Sequence, residues 1–175
     1  NNFGIETIAE DVAYKVTSDF IISRLGLTNA DAVYSIVIHP VTGIVYLAGT
    51  KLWKYDPQTG AITVLITPGA GTYINKILYV YNMPGWWSNV LVLGGDFTDL
   101  DGNATYDGFA LYNIQQDWHI NVISSNTSNV IYDLAWDGNS RYLYIAGKFD
   151  AWNGAAMHGV AKFNIQAGIS ALGTP

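Results

Sequence analysis

The chain has 175 residues, 50% of them hydrophobic, with 14% aromatic and 13% charged side chains, so a packed core is available and a disordered chain is excluded. Fourteen acidic against eight basic residues leave a net charge of −6, which repels phosphate backbones and argues against nucleic-acid binding. Cysteine is absent, which excludes disulfides, thiolate metal sites and cysteine nucleophiles, and the best apolar run, residues 33–49, is broken by Ser35, His39, Pro40 and Thr42, so no membrane insertion is expected.

In chain order, residues 1–28 come first. They open Asn1-Asn2-Phe3, without Met and without a basic and then apolar leader, a pattern expected of a processed product or an excerpt. Residues 1–20 match no later segment and read as a further strand pair. Residues 21–28, IISRLGLT, resemble the closing ISALGT of 169–174, so both read as outer strands of a repeated unit.

The first full unit spans 29–72. Tyr34, Ile36 and Ile38 alternate with Ser35, Val37 and His39, which predicts an inner strand from 33, then a turn at 40–43. Strands are expected at 44–49, 52–55 and 61–66, the last after the DPQTG turn of 56–60. The second unit, 73–128, predicts strands at 74–81, 90–97, 109–114 and 119–124. The third, 129–175, predicts them at 130–136, 142–149, 160–165 and 169–172.

These units share wording. LVLGGDFTDLDGN…GFALYNI and LYIAGKFDAWNGA…GVAKFNI align Gly95 with Gly147, Phe97 with Phe149, Gly102 with Gly154, Gly108 with Gly159, and Asn113-Ile114 with Asn164-Ile165. VYLAGT…LWKYDP, at 45–57, is a fainter copy. Ile36, Ile77 and Leu134 match as aliphatic inner-strand positions, and Ile38, Tyr79 and Trp136 as bulky ones. An all-strand unit repeating at about 40–50 residues predicts an all-β chain of four-stranded antiparallel β-propeller blades, three blades plus a leftover outer strand. An unrelated antiparallel sandwich is the alternative. Three blades fall short of the about 4–8 that close a ring, so the expected partners are further blades of the same chain or other subunits.

Gly94-Gly95-Asp96-Phe97-Thr98, Ala110-Leu111-Tyr112-Asn113, Ala146-Gly147-Lys148-Phe149, Ala161-Lys162-Phe163-Asn164 and Leu172-Gly173 resemble the repeats of the fungal cortical polarity-marker family, Kelch-like cell-surface proteins. The resemblance covers 90–175, with 33–66 as a degenerate copy lacking the Phe and the Gly-bearing loop. Only one Gly-Gly doublet is present, and Trp136-Asp137 lies at an inner strand rather than at the end of a third strand as in a WD40 repeat. The resemblance implies a scaffold or surface-display protein with no catalytic residues to carry over.

The loop from Asp96 to Asp107 concentrates oxygen ligands. Asp99, Asp101 and Asn103 at alternate places, with Asp107, form a candidate calcium site; the competing expectation is a turn whose Asp and Asn side chains bond their own backbone. No other cofactor is expected. Asn103-Ala104-Thr105 and Asn126-Thr127-Ser128 match the N-glycosylation pattern and favour an extracellular or cell-surface location. Trp86, Trp87 and Trp152 fall in predicted loops, where exposed rings offer a platform for a glycan or a protein. His39, His119 and His158 fall at dissimilar blade positions. The only glutamates, Glu6 and Glu10, and the only arginines, Arg24 and Arg141, form no acid-base or sugar-acid site. The reading that follows is a non-catalytic extracellular structural scaffold. The alternatives are a glycan- or protein-binding module using loop aromatics, and a portion of a propeller hydrolase whose catalytic residues lie elsewhere.

Overall fold

The computed structural model describes residues 14–16, 22–24, 27–28, 30–83, 87–104, 106–120, 130–149, 151–152, 155–156 and 158–164. Among these there is no helix. A hairpin of β1 (Tyr14–Val16) and β2 (Ile22–Arg24) precedes three antiparallel meanders. Blade 1 orders β3 (Val33–Ile38), β4 (Val45–Gly49), β5 (Leu52–Tyr55) and β6 (Ile62–Ile66). Blade 2 orders β7 (Ile74–Met83), β8 (Trp87–Gly95), β9 (Phe109–Asn113) and β10 (Trp118–Ile120). The small hairpin of β13 (Ala151–Trp152) and β14 (Ala155–Ala156) interrupts blade 3, formed by β11 (Val130–Asp137), β12 (Tyr142–Lys148) and β15 (Val160–Asn164). The strand expected at 169–172 lies outside the described residues, as does most of the one expected at 119–124.

Side chains alternate between the two faces of each blade, so blades 1 and 2 each contribute to two cores and blade 3 to one. Tyr46, Ala48, Leu52 and Ile66 of blade 1 are buried with Ile77, Leu91, Leu93 and Tyr112 of blade 2. Val80, Val90, Val92, Phe109 and Leu111 on the opposite face of blade 2 are buried with Ile131, Leu134, Leu143 and Ile145 of blade 3. Leu27 packs with Leu47, Trp53 and Tyr55 on the face of blade 1 that points away from blade 2. The inner strands β3, β7 and β11 lie side by side.

One device recurs in all three blades. The inner strand carries a bulge at its start, between Val33 and Ser35, Ile74 and Lys76, and Ile131 and Asp133. The bulge drives the preceding carbonyl against the glycine that ends the second strand. A Cβ on Gly49 would stand 1.8 Å from Ala32 O, one on Gly95 2.1 Å from Tyr73 O, and one on Gly147 2.1 Å from Val130 O. This contact is why the small-Gly pair recurs.

The turns repeat as well. Main-chain N–H to O bonds close from Gly43 to His39, Gly60 to Asp56, Asp117 to Asn113 and Arg141 to Asp137, at 2.8–3.0 Å. In each, the first residue's side chain accepts the N–H two places on: Asp56 from Gln58, Asn113 from Gln115, Asp137 from Asn139, and His39 through Nδ1 from Val41. The last residue adopts positive φ, which Asp117 (53°) and Arg141 (59°) accept in place of glycine.

The buried hydroxyls and carboxylates make stability depend on pH at both extremes. Burial, with nearby Tyr79 second, pushes the Tyr46 hydroxyl up to about 12. Burial and the hydrogen bond it donates to Asp117 push Tyr112 up too. A phenol raised in the folded state contributes stability that is complete below about pH 10 and is lost as the pH climbs through the folded value. At the acid end, burial of Asp31 raises its carboxyl, but the Thr28 N–H, the Lys51 ammonium and the Thr28 hydroxyl outweigh it and hold it below the usual range. That contribution is present above about pH 4 and lost as the pH falls through the folded value. Urea midpoints measured across pH should decline at both ends. Tyr46→Phe should flatten the alkaline decline and Asp31→Asn the acid one; unchanged profiles would refute the assignment.

Candidate functional site

Two regions could act on another molecule: the loop between β8 and β9, and the outer faces of the two end blades. The loop begins at the glycine device. Asp96 N donates to Tyr73 O at 3.1 Å, and the Asp96 carboxylate accepts the Tyr73 N–H at 2.5 Å. Phe97, Leu100 and Tyr106 are buried in the core between blades 1 and 2. Gly95 N bonds Gly108 O and Gly108 N bonds Phe97 O; in blade 3, Gly147, Gly159 and Phe149 repeat the same pair of bonds. Phe97 and Phe149 are therefore equivalent plugs, as their alignment predicts.

The Asp99-to-Asn103 segment is a tight hairpin. Leu100 and Asn103 exchange main-chain bonds at 3.2 and 3.0 Å, while Asp101 (φ 52°) and Gly102 (φ 77°) make the Asp-Gly turn that a type I′ geometry requires. Asp99 Oδ1 accepts the Gly102 N–H at 3.2 Å. Asp101 Oδ1 accepts the Thr67 N–H at 2.8 Å, and Asp101 N donates to Thr67 O at 2.9 Å. Gly69 N approaches Asp99 O at 3.4 Å. The loop is thereby strapped across the 67–69 crossing between blades 1 and 2. Asn103 is exposed and Asp107 half-buried. Among the described residues no group of three or more His, Asp or Glu side chains is arranged to hold a metal ion. Asp101→Asn keeps the acceptor oxygen for Thr67, so it should leave the urea midpoint within about 0.5 kcal/mol of wild type. Calcium should add no stability in either protein; a calcium-dependent rise that Asp101→Asn abolishes would overturn the strap description.

The loop placement of two of the three tryptophans is corrected. Trp87 begins β8 paired with Met83, and Trp152 lies in β13 paired with Ala155, so both belong to strands rather than loops. β7 and β8 extend past Tyr81 and Asn89 to pair Met83 with Trp87, beyond the strand bounds 74–81 and 90–97. Trp86 and Asn126 lie outside the described residues. His39 is buried between blades 1 and 2. Its Nδ1 accepts from Val41 and Thr42, which puts the ring proton on Nε2, 3.3 Å from the Tyr79 hydroxyl; Tyr79 in turn donates to Asn89. His158 is exposed, and His119 lies in β10.

The end faces show a different pattern. Register places Ile36 opposite Leu47, Ile77 opposite Leu93 and Leu134 opposite Ile145, so the three share one blade position. Ile77 and Leu134 are 1% and 4% exposed, yet Ile36 is 58% exposed. Ile38 and Val64 on the same face of blade 1 are exposed too. At the other end, Val160 opposite Ala146 matches Phe109 opposite Gly94 and Leu52 opposite Ala48. Leu52 and Phe109 are 0% and 4% exposed, and Val160 is 60%. Val160 lines a shallow depression with Asp133, Ala135, Tyr144 and Ala146. Lys162 Nζ lies over the Tyr142 ring, 3.6 Å from its centre. Sequence patterning matched Ile36 and Ile38 to packing positions of the other units but did not single out Val160; what it lacked was the burial that separates an end blade from an inner one.

No protein-family model and no curated protein matches the chain. Among solved structures, the chain is similar to one in the crystal structure of the mitotic checkpoint complex, at 11% identity and a TM-score of 0.50, over 75% of this chain and 34% of that one. It thus spans about a third of that protein's length. That neighbour is a β-propeller protein, and with the all-β meanders described above the likeness establishes a β-propeller-like fold. It does not reach the cortical polarity-marker family.

Proposed function

We propose that the chain is a non-catalytic structural scaffold whose end blades are surfaces for protein partners. The carrying observation is the exposure of Ile36 and Val160, occupants of positions that the other blades bury. The reading as non-catalytic is supported by the employment of its polar side chains, since Asp56, Asp99, Asp101, Asn113 and Asp137 all accept main-chain N–H groups of turns and crossings. Kinship with the cortical polarity-marker repeats and a place outside the cell belong to the same reading; the exposed Asn103, beside the Asp101-Gly102 turn, supports them. Oxidative footprinting tests the surfaces. Ile36, Ile38 and Tyr144 should be oxidised in the isolated chain and protected in the cells or medium that produce it. Equal oxidation in both settings would sink the proposal.

A further inference from the structure

We infer that the open face of blade 3 and the open inner strip of blade 1 bind each other between two copies of this chain, head to tail; this rests on the scaffold reading above. The chain supplies the template twice. Blade 1 presents Tyr46, Ala48 and Leu52 to blade 2. Blade 2 presents Val92, Gly94 and Phe109 to blade 3, so closely that a Cβ on Gly94 would stand 2.5 Å from Ile131 Cγ2. By register, blade 3 presents Tyr144, Ala146 and Val160 at the same positions. Its Tyr144-Ile145-Ala146-Gly147 repeats the Tyr46-Leu47-Ala48-Gly49 of blade 1 in type. On the receiving side, Ile77 and Leu134 take the contact from the preceding blade, and Ile36 is their counterpart.

The inner strands carry polar links between blades at matching heights. Ser35 Oγ accepts the Ile77 N–H at 3.1 Å, Asn75 Nδ2 donates to Ile131 O at 3.0 Å, and Lys76 Nζ lies 2.8 Å from Asp133 Oδ1. Asp133 occupies in β11 the place of Ser35 in β3, at the rim of the blade 3 depression. Leu27 already covers Leu47, Trp53 and Tyr55 on the outer part of the blade 1 face. Ile36 and Ile38 on the inner strand, with Val64 on the outer one, stay exposed on that face, and the inner pair is the strip proposed for contact. By the chain's own inter-blade contacts each end face is the counterpart of the face at the other end, so the occupant proposed is a second copy of this chain. The two faces differ, so the contact is heterologous, and two copies satisfy both contacts at once. Two sets of three inner strands then surround one axis, a blade number within the about 4–8 that close.

Analytical ultracentrifugation of the full chain over a concentration series tests this. The expected mass is that of two chains, approached as concentration rises. Ile36→Asp and Val160→Asp, at exposed positions, should each abolish association while leaving circular dichroism unchanged and, at concentrations where the wild type is monomeric, the urea midpoint unchanged too. An equimolar mixture should recover a pair, because the intact blade 3 face of the Ile36→Asp copy meets the intact strip of the Val160→Asp copy. Ile36→Ser and Val160→Ser carry the test should an Asp variant misfold. A wild-type monomer at every concentration, association untouched by both substitutions, or a mixture that stays monomeric would each overturn the inference. A monomer that protects the same faces against a different protein would overturn it while leaving the scaffold reading intact.

Discussion

Gly95→Ala is expected to destabilise the chain by about 3 kcal/mol, the upper range for overpacking. The added methyl would lie 2.1 Å from Tyr73 O and 2.8 Å from Phe97 Cδ1. The ring could turn aside. The carbonyl could not, because it is backbone held by the Asp96 N–H at 3.1 Å and belongs to the bulged start of β7. Relief would require moving the inner strand of the central blade, whose two faces carry both inter-blade cores. Gly71→Ala is the control: no atom lies within 4 Å of its added methyl, so only the positive φ of 77° is penalised, at about 1 kcal/mol. Urea unfolding of the two variants separates close approach from backbone strain. A Gly95→Ala midpoint equal to that of Gly71→Ala would show that the bulge yields, and the device would lose its structural meaning.

Leu100→Ala should cost about 2–5 kcal/mol although the residue sits in a surface loop. Leu100 is 0% exposed and belongs to the same buried cluster as Phe97, Tyr106 and Ile74. It also bridges to Pro68 across the crossing between blades. Truncation removes a side chain from a closed core and leaves a void between blades 1 and 2. Hydrogen exchange gives a second readout: the amide of Asp101, which donates to Thr67 O, should lose protection beyond the global change. A cost under about 1 kcal/mol would mean that the loop merely lies on the surface.

Much of the fold was legible because its signals are local. Period-two alternation placed Ile36, Ile77 and Leu134 at one position, and the structure keeps them there. The spaced Gly95, Phe97 and Gly108 predicted their blade 3 partners, and identical hydrogen bonds join each set. The loop chemistry was harder. Asp99, Asp101 and Asn103 have the spacing of a cation loop, Asp101-Gly102 is also a type I′ turn pair, and the strap to Thr67 is remote in sequence and so left no trace in the loop itself. Leu100, between two aspartates, gave no sign of its burial for the same reason. Trp87 and Trp152 looked like loop residues because strand ends are set by pairing with Met83 and Ala155, which a single-strand pattern does not contain.

Almost every strand pair described joins neighbours in the chain, and each blade carries its own glycine, bulge and turn set. Contacts of that kind assemble with little loop-closure entropy. The same locality has an evolutionary side. A gene duplication that inserts one whole blade brings its complete folding instructions with it and leaves its neighbours' instructions intact. Blade number is then a quantity that lineages can change by copying, while the loop between the second and third strands, short in blade 1 and elaborated in blades 2 and 3, diverges separately in each copy.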